Sequence, residues 1–160
     1  MEGKLLDIEL LPAISFSGRR VRLVLDTNVV VAAFRSDQGA SRRLILAALD
    51  REVTMLASVP LMLEYESVLK RPEQLAAIGL TANEVDTVLD AVALVIEPVR
   101  LAFLWRPRLR DPSDEMVLET AVNGRADRLV TFNLRHLAEA TRGFGIHAGL
   151  PGAICREVQR

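Results

Sequence analysis

The chain has 160 residues and a formal net charge of −1, which suits a single domain with a substantial core. Half of its residues are apolar and only 4% are aromatic, so the core is predicted to be aliphatic. The near-neutral charge does not by itself indicate a nucleic-acid-binding protein, the single cysteine excludes an internal disulfide, and no apolar run approaches the roughly 20 residues that span a bilayer. The N-terminus lacks a signal-peptide pattern, so we expect a cytoplasmic protein without membrane contact.

Strand and helix patterns alternate along the chain. Short apolar runs predict strands at 21–25, 53–57, 94–97 and 128–131. Helical periodicity and capping signals predict helices at 29–35, 40–50, 60–70, 81–94, 112–123 and 134–140, and a short last helix from Pro151. Residues 98–110 are expected to form an irregular connection, and residues 1–20 an extension before a single domain at 21–160. This alternation predicts an α/β fold whose sheet of four to five strands is mainly parallel and covered on both faces.

Polar side chains follow two of the predicted strands. Asp26 ends the first strand, and Thr131 and Asn133 end the last one. In parallel sheets ligands gather at the carboxyl ends of the strands, so these residues are candidates for one site. Asp26 has an alternative role as a helix cap, and the next residues Thr27 and Asn28 are also capping types.

Asp114 is predicted to face the core. At about 100° per residue it falls among Val117, Leu118 and Ala121, whereas Glu115 and Glu119 lie to one side. Helix capping explains Asp111, which precedes Pro112, but it does not explain an inward carboxylate at Asp114. A carboxylate on a buried face needs a partner.

The helix at 60–70 offers a third acidic position. Glu64 and Glu66 flank its apolar face equally, and periodicity does not choose between them. Carboxylates drawn together against a core repel each other, and a divalent cation such as Mg²⁺ or Mn²⁺ is the usual way to keep them ionised. The sequence therefore predicts a metal site built from oxygen ligands.

The arginines near the third acidic motif have two interpretations. Arg100, Arg106, Arg108 and Arg110 surround Trp105, and their planar guanidinium groups suit phosphate contacts. The alternative is a solvated, arginine-rich loop. Both interpretations stay open at this point.

Four motifs in order resemble the PIN-domain family. They are VLDTNV at 24–29, PLMLEYESVL at 60–69, RDPSDEMVLETAV at 110–122 and ADRLVTFN at 126–133. More narrowly, the chain resembles the bacterial subgroup of toxin components of toxin–antitoxin systems, the VapC-like ribonucleases. The resemblance runs from about residue 21 to the last helix, and it implies a three-layer α/β/α sandwich.

The resemblance also implies an activity, namely Mg²⁺- or Mn²⁺-dependent hydrolysis of phosphodiester bonds in RNA by an endoribonuclease. The acidic residues that it assigns to metal binding and catalysis are Asp26, Glu64, Asp111 and Asp114. Supporting positions are Thr27, Asn28, Thr131 and Asn133, and possible RNA-phosphate contacts are Arg106, Arg108 and Arg110. A homodimer and a cognate antitoxin are the partners that it implies.

One departure from the family pattern favours an alternative function. The chain has Asn133 in the Thr-x-Asp/Asn element and His136 where many relatives carry a further Asp. Less negative charge there suits a catalytically weak or inactive PIN-like module that binds RNA or protein. A dehalogenase-type phosphatase fits less well because Asn28 stands where that chemistry needs a second Asp, and no glycine-rich turn supports dinucleotide binding. His136, His147 and Cys155 are otherwise expected to be structural or surface residues.

Overall fold

The computed structural model describes residues 15–16, 19–102 and 110–159 of the chain. The strands are β1 (Ser15–Phe16), β2 (Arg19–Arg20), β3 (Arg22–Leu25), β4 (Thr54–Ala57), β5 (Glu97–Pro98), β6 (Arg128–Val130) and β7 (His147–Gly149). The helices are α1 (Thr27–Arg35), α2 (Ala40–Leu49), α3 (Val59–Leu69), α4 (Pro72–Ile78), α5 (Ala82–Val95), α6 (Pro112–Asn123), α7 (Leu134–Arg142) and α8 (Pro151–Val158). Within the described ranges no helix combines the length and the apolar character that a membrane span requires.

Five strands form one parallel sheet in the order β5-β4-β3-β6-β7, flanked by helices. The predicted α/β/α class and the mainly parallel sheet of four to five strands are confirmed. β3 lies at the centre because Leu23 and Val24 pair with β4 on one side and with β6 on the other. The carboxyl ends of β3 and β6 are therefore neighbours, which is the placement that a shared site requires.

Three elements differ from the sequence prediction. The strand predicted at 94–97 is wrong in its bounds, because α5 continues to Val95 and β5 is confined to Glu97–Pro98 at the sheet edge. β7 was not predicted, since His147–Gly149 has no apolar run to announce a strand. α4 was not predicted either, although Pro72 is suited to the first position of a helix and begins this one.

The core is aliphatic, as the composition predicted. Leu23, Val24 and Leu25 on β3 are at most 1% exposed, and the aromatic residues buried with them are Phe34 and Tyr65. Each buried aliphatic side chain of this size stabilises the fold by about 1.5–3 kcal/mol relative to exposure. The central strand that leads to Asp26 is thus fixed by burial on both faces.

Two helix ends are fixed by specific contacts. A capping box begins α5: Glu84 N donates to Thr81 Oγ1 over 3.2 Å, and Thr81 N donates to Glu84 Oε2 over 2.8 Å. α6 ends at Gly124, where an added Cβ would lie 2.8 Å from Val99 Cγ2 and 2.9 Å from the carbonyl oxygen of Thr120. A residue without a side chain is therefore required at the end of α6.

The segment before β3 is attached to the sheet through Asp127. The Arg19 guanidinium donates to both carboxylate oxygens of Asp127 over 2.7 and 2.8 Å, and Arg22 N donates to Oδ2 over 2.8 Å. Burial raises the pKa of Asp127, but these hydrogen bonds outweigh it and the pKa lies below the ordinary value. The domain boundary between residues 20 and 21 stays a prediction.

Candidate functional site

Asp26 lies at the carboxyl end of the central strand and caps α1. Its backbone N–H donates to Val130 O over 2.9 Å, which extends the sheet register by one residue. Its side chain accepts from Thr27 N over 2.8 Å through Oδ1 and from Thr131 Oγ1 over 2.7 Å through Oδ2. Only 5% of Asp26 is exposed, so both carboxylate oxygens are held in a defined position. Asp26 therefore both caps α1 and lies in the protein interior.

Asp114 lies in the first turn of α6 and is 6% exposed, in agreement with its predicted inward position. Its Oδ2 accepts from Asn133 Nδ2 over 3.5 Å and lies 3.7 Å from His136 Nδ1. Asn133 Nδ2 and His136 Nδ1 are themselves 2.9 Å apart. His136 is a surface residue, as expected, but it also belongs to the polar network around Asp114.

The segment 131–133 joins the two buried carboxylates. Thr131 contacts Asp26, Asn133 contacts Asp114, and Asn133 N donates to Thr131 Oγ1 over 2.9 Å. The Thr131 hydroxyl therefore accepts one hydrogen bond and donates another, and it is fully buried. Two residues of the segment after β6 thus hold one acid from the end of β3 and one from the first turn of α6.

The electrostatics of Asp26 and Asp114 reflect burial and shared negative charge. Burial raises the pKa of Asp26, hydrogen bonds from Thr131 and Thr27 oppose the change, and the charge of Asp111 adds to it. Burial also raises the pKa of Asp114, the charges of Asp26 and Asp111 raise it further, and His136 partly offsets them. At this corner of the molecule the charge of Asp111 therefore acts on both buried carboxylates, and the charge of Asp26 acts on Asp114.

Asp111 and Glu64 lie at the solvent side of this corner. Asp111 is exposed and caps α6 by accepting from Ser113 N over 2.9 Å. Glu64 is half-buried and its Oε1 accepts from Ser113 Oγ over 3.4 Å. Glu66, the alternative position on α3, instead pairs with Lys70 over 2.7 Å. Contact with the segment after Asp111 therefore distinguishes Glu64 from Glu66, which helical periodicity did not.

Two neighbours of the acids complete the site. Tyr65 is fully buried and its hydroxyl donates to the carbonyl oxygen of Leu25, the residue before Asp26. Burial, with the charge of Asp26 as a second cause, raises the pKa of Tyr65 well above its ordinary value, so the phenol stays protonated. Thr27 is 6% exposed, and its Oγ1 is buried without a hydrogen-bond partner among the described residues. Asn28 is exposed on α1.

The donor set at this corner is chemically suited to a hard divalent cation. It consists of carboxylate oxygens, with the amide of Asn133 and the unpaired Thr27 hydroxyl beside them. Across the described part of the chain, no three His, Cys, Asp or Glu side chains are already arranged as a metal-binding group. The oxygens of these carboxylates would therefore have to approach one another to form a complete coordination shell.

The predicted phosphate contacts are described only in part. Arg110 is exposed and directly precedes Asp111. Arg106 and Arg108, together with Trp105, lie outside the described residues. Arg100 is exposed after β5.

Helical periodicity predicted neither the burial of two acidic residues of α6 nor the contacts of Ser113 and Tyr65. Glu115 and Glu119 were placed to one side of the apolar face, yet they are only 3% and 1% exposed. α6 contacts β3, β4 and β6 as well as α3 and α7, so more than one of its faces is buried. Ser113 and Tyr65 were not predicted as site residues, although Ser113 directly precedes Asp114 and Tyr65 directly follows Glu64 in the sequence. Cys155 is buried, as expected of a packing residue.

Known proteins resemble this chain in fold and in family motifs. A chain of the VapBC2 complex from Rickettsia felis, crystallised with a DNA fragment from their promoter, has the same fold, with a TM-score of 0.54 and 19% identity. The similarity covers 81% of this chain and 98% of that one. No curated protein matches the chain. The PIN domain model matches residues 22–135, which include every acidic residue of the site. The chain therefore belongs to the PIN domain family.

Proposed function

We propose that this protein is a metal-dependent endoribonuclease that hydrolyses phosphodiester bonds of RNA. The observation that carries the proposal is the pair of buried carboxylates, Asp26 and Asp114, held by Thr131 and Asn133 at one corner of a PIN domain. The charges of Asp26 and Asp111 raise the pKa of Asp114, and a buried carboxylate in such surroundings is costly to keep ionised without a cation. Such pairs are typical of functional sites.

The residues divide into ligands and supports. Asp26, Asp114 and Glu64 would hold Mg²⁺ or Mn²⁺, while Asp111 and Asn133 would bind it directly or through water. A metal ion bound there supplies an activated water and stabilises negative charge on the scissile phosphate. Thr131 keeps the carboxylate of Asp26 oriented by donating to Oδ2 over 2.7 Å.

We assign phosphate binding to arginines that precede the third acidic motif in the sequence. Arg110 is exposed next to Asp111, and Arg106 and Arg108 precede it in the sequence. Each cation that contacts a phosphate releases counterions from RNA. Replacing Arg106 and Arg108 with Ala should weaken RNA binding and flatten its salt dependence; an unchanged slope would remove them from the interface.

The partners follow from the structural relative. That relative was crystallised as the VapBC2 complex on promoter DNA. We infer that this chain is the toxin of a toxin–antitoxin pair. A cognate antitoxin would cover the acidic corner, which is formed by Asp26, Glu64, Asp111 and Asp114. A homodimer in the cytoplasm is the state in which we expect it to act.

A second function is favoured by the polar groups around Asp114. Asn133 and His136 add no negative charge next to Asp114, and His136 partly offsets the rise in its pKa. A PIN-like module that binds RNA or protein without cutting is consistent with this balance. Mn²⁺ distinguishes the two functions, because a ligand that binds only the folded state raises the melting temperature.

Cleavage of labelled single-stranded RNAs and tRNAs tests the proposal directly. The purified protein is incubated with Mg²⁺, Mn²⁺ or EDTA beside the variants Asp26→Asn and Asp114→Asn. We expect metal-dependent cutting that both variants lose. Equal cutting by the variants would indicate a contaminating nuclease or another site. A silent wild type without Mn²⁺ stabilisation would favour the binding module.

Helix α3 provides a matched pair of variants for the third acid. Glu64→Gln should reduce cutting by at least tenfold, because it removes a metal ligand. Glu66→Gln lies two residues away, removes only the pair with Lys70, and should leave cutting unchanged. The reverse order of effects would assign the role to Glu66.

A further inference from the structure

Phe132 presents an aromatic ring beside the acidic corner. It is 53% exposed, and it is the one exposed aromatic among the side chains whose burial is described. Phe34 and Tyr65 are buried, and Phe144 is half-buried against the core. A single exposed apolar residue needs no explanation in general. Phe132 is of interest because of its position in the chain, between Thr131 and Asn133.

The residues on both sides of Phe132 contact the two buried acids. Thr131 donates to Asp26 over 2.7 Å, and Asn133 Nδ2 donates to Asp114 over 3.5 Å. A further hydrogen bond closes this segment on itself, from Asn133 N to Thr131 Oγ1 over 2.9 Å. Thr131 N also donates to the carbonyl oxygen of Gly149 over 3.0 Å. The backbone that carries the ring is therefore fixed relative to the carboxylates.

A fixed, exposed ring is suited to stacking with a nucleobase. Every base has an aromatic face, and a base stacks on a side chain only when it is not already stacked within a duplex. Ordering entropy is low because the backbone is already held and the side chain has two rotatable bonds. A peptide partner would gain more from a continuous apolar surface than from one ring.

We propose that Phe132 is a stacking platform for an unpaired base next to the scissile phosphate, so that the site selects single-stranded RNA. The inference rests on the proposed ribonuclease function and adds a specificity-determining residue to it. Phe132 is not itself a catalytic residue, because its ring supplies neither a metal ligand nor a proton.

The test separates binding from cutting by using the Asp26→Asn protein in EDTA. A mixed-sequence RNA of 12 nucleotides, with 2-aminopurine at each position in turn, is added to this protein and to its Phe132→Ala and Phe132→Tyr derivatives. Stacking quenches 2-aminopurine fluorescence, and anisotropy of an end label gives the affinity. The same RNA paired with its complement serves as the duplex probe.

Leu94→Ala is the matched control. Leu94 is 82% exposed on α5, which leads into the edge strand β5, three strands away from β6 in the sheet order. Its removal deletes an exposed apolar side chain without touching the segment 131–133. Melting temperatures of all variants show that each is folded.

We expect Phe132→Ala to weaken single-strand binding roughly tenfold to a hundredfold and to abolish quenching at one or two positions. Phe132→Tyr should restore both, and Leu94→Ala should change neither. Duplex binding should be weaker in the parent and insensitive to Phe132. Unchanged affinity and quenching in Phe132→Ala would overturn the proposal, as would equal losses in the Tyr variant.

The ribonuclease function fails or survives separately. Cutting of the same RNA by the wild type in Mn²⁺ tests that function alone. Quenching that depends on Phe132 without any cutting would retain the platform in a non-catalytic RNA-binding module. Cutting with quenching that ignores Phe132 would retain the nuclease and remove the platform. No binding and no cutting would overturn both.

Discussion

Thr131 donates its hydroxyl hydrogen to the carboxylate of Asp26 over 2.7 Å, although 105 positions separate the two residues in the chain. The contact crosses from the end of β6 to the end of β3, and both residues are buried. The uncharged hydroxyl of Thr131 thereby stabilises the ionised carboxylate of Asp26 in the protein interior. This hydrogen bond lowers the pKa of Asp26 against the stronger effect of burial.

Thr131→Val tests this support because it keeps the shape of the side chain and removes the hydroxyl. We expect a loss of about 1–3 kcal/mol in the free energy of unfolding, since a buried carboxylate loses its donor. Mn²⁺ should also raise the melting temperature less than in the wild type. Urea denaturation and thermal melting measure the two effects.

Thr141→Val is the control for that substitution. Thr141 is equally buried, but its hydroxyl bonds to Leu137 O and Ala138 O within α7. The response to Mn²⁺ should be unchanged in this variant. Equal responses of Thr131→Val and the wild type would show that the hydroxyl does not organise the metal site.

Asp114→Asn should stabilise the protein at neutral pH in EDTA. The folded-state pKa of Asp114 is raised, so the folded state binds its proton more tightly than the unfolded state does. The ionised carboxylate then disfavours folding above the folded-state pKa, and this penalty vanishes below the unfolded value of about 3.9. The advantage of Asn should therefore shrink as the pH falls towards 4. Denaturation at several pH values would contradict this if the wild type were the more stable protein at pH 7.

As the pH falls, metal binding should weaken at a higher pH than it would at aspartates with ordinary pKa values. Protons compete with metal for carboxylates, and the pKa values of both Asp26 and Asp114 are raised. Stabilisation by Mn²⁺ should be full above these values and lost as the pH falls through them. Thr131→Val should move that loss to still higher pH, because it removes a group that lowers the pKa of Asp26. Melting curves across a pH series, with and without Mn²⁺, provide the measurement.

Tyr65→Phe should destabilise the protein by about 1–3 kcal/mol, because the buried carbonyl of Leu25 loses its donor. That carbonyl belongs to the residue before Asp26, so the substitution also releases the end of β3. Cutting should decrease together with stability. A change in unfolding free energy below about 0.5 kcal/mol would mean that water replaces the phenol.

Gly124→Ala should cost about 1–3 kcal/mol, since the new Cβ would lie 2.8 Å from Val99 Cγ2 and 2.9 Å from Thr120 O. Gly143→Ala is the matched control, because no atom lies within 4 Å of a Cβ there and its φ of −66° suits any residue. Urea denaturation of both variants compares crowding with simple loss of glycine. Similar stabilities of the two would argue against the close approach at Gly124.

The sequence was sufficient for the layers of the fold because its strands are short apolar runs, whereas its helices show helical periodicity and capping signals. β3 and α6 were predicted to within one residue, since each combines an apolar pattern with a clear end signal. β7 was missed because pairing with β6, and not side-chain character, makes His147–Gly149 a strand. Its existence depends on a neighbour that local sequence does not contain.

The inward position of Asp114 was predictable, whereas the burial of Glu115 and Glu119 was not. A helical angle identifies one apolar face, but α6 is covered by the sheet and by two helices. The bond from Thr131 to Asp26 likewise depends on strand order. Periodicity left Glu64 and Glu66 equivalent, and the family resemblance assigned Glu64. Its contact with Ser113 could not be predicted, because Ser113 comes from another helix.

The central position of Asp26 has a consequence for local opening of the domain. Its amide donates to Val130 O between the two inner strands β3 and β6. Amides of this kind exchange with deuterium only when the whole domain unfolds, whereas those of exposed turns exchange through small local fluctuations. Partial unfolding at the periphery would thus leave Asp26 in place. The protection factor of its amide against exchange would report the global stability of the protein.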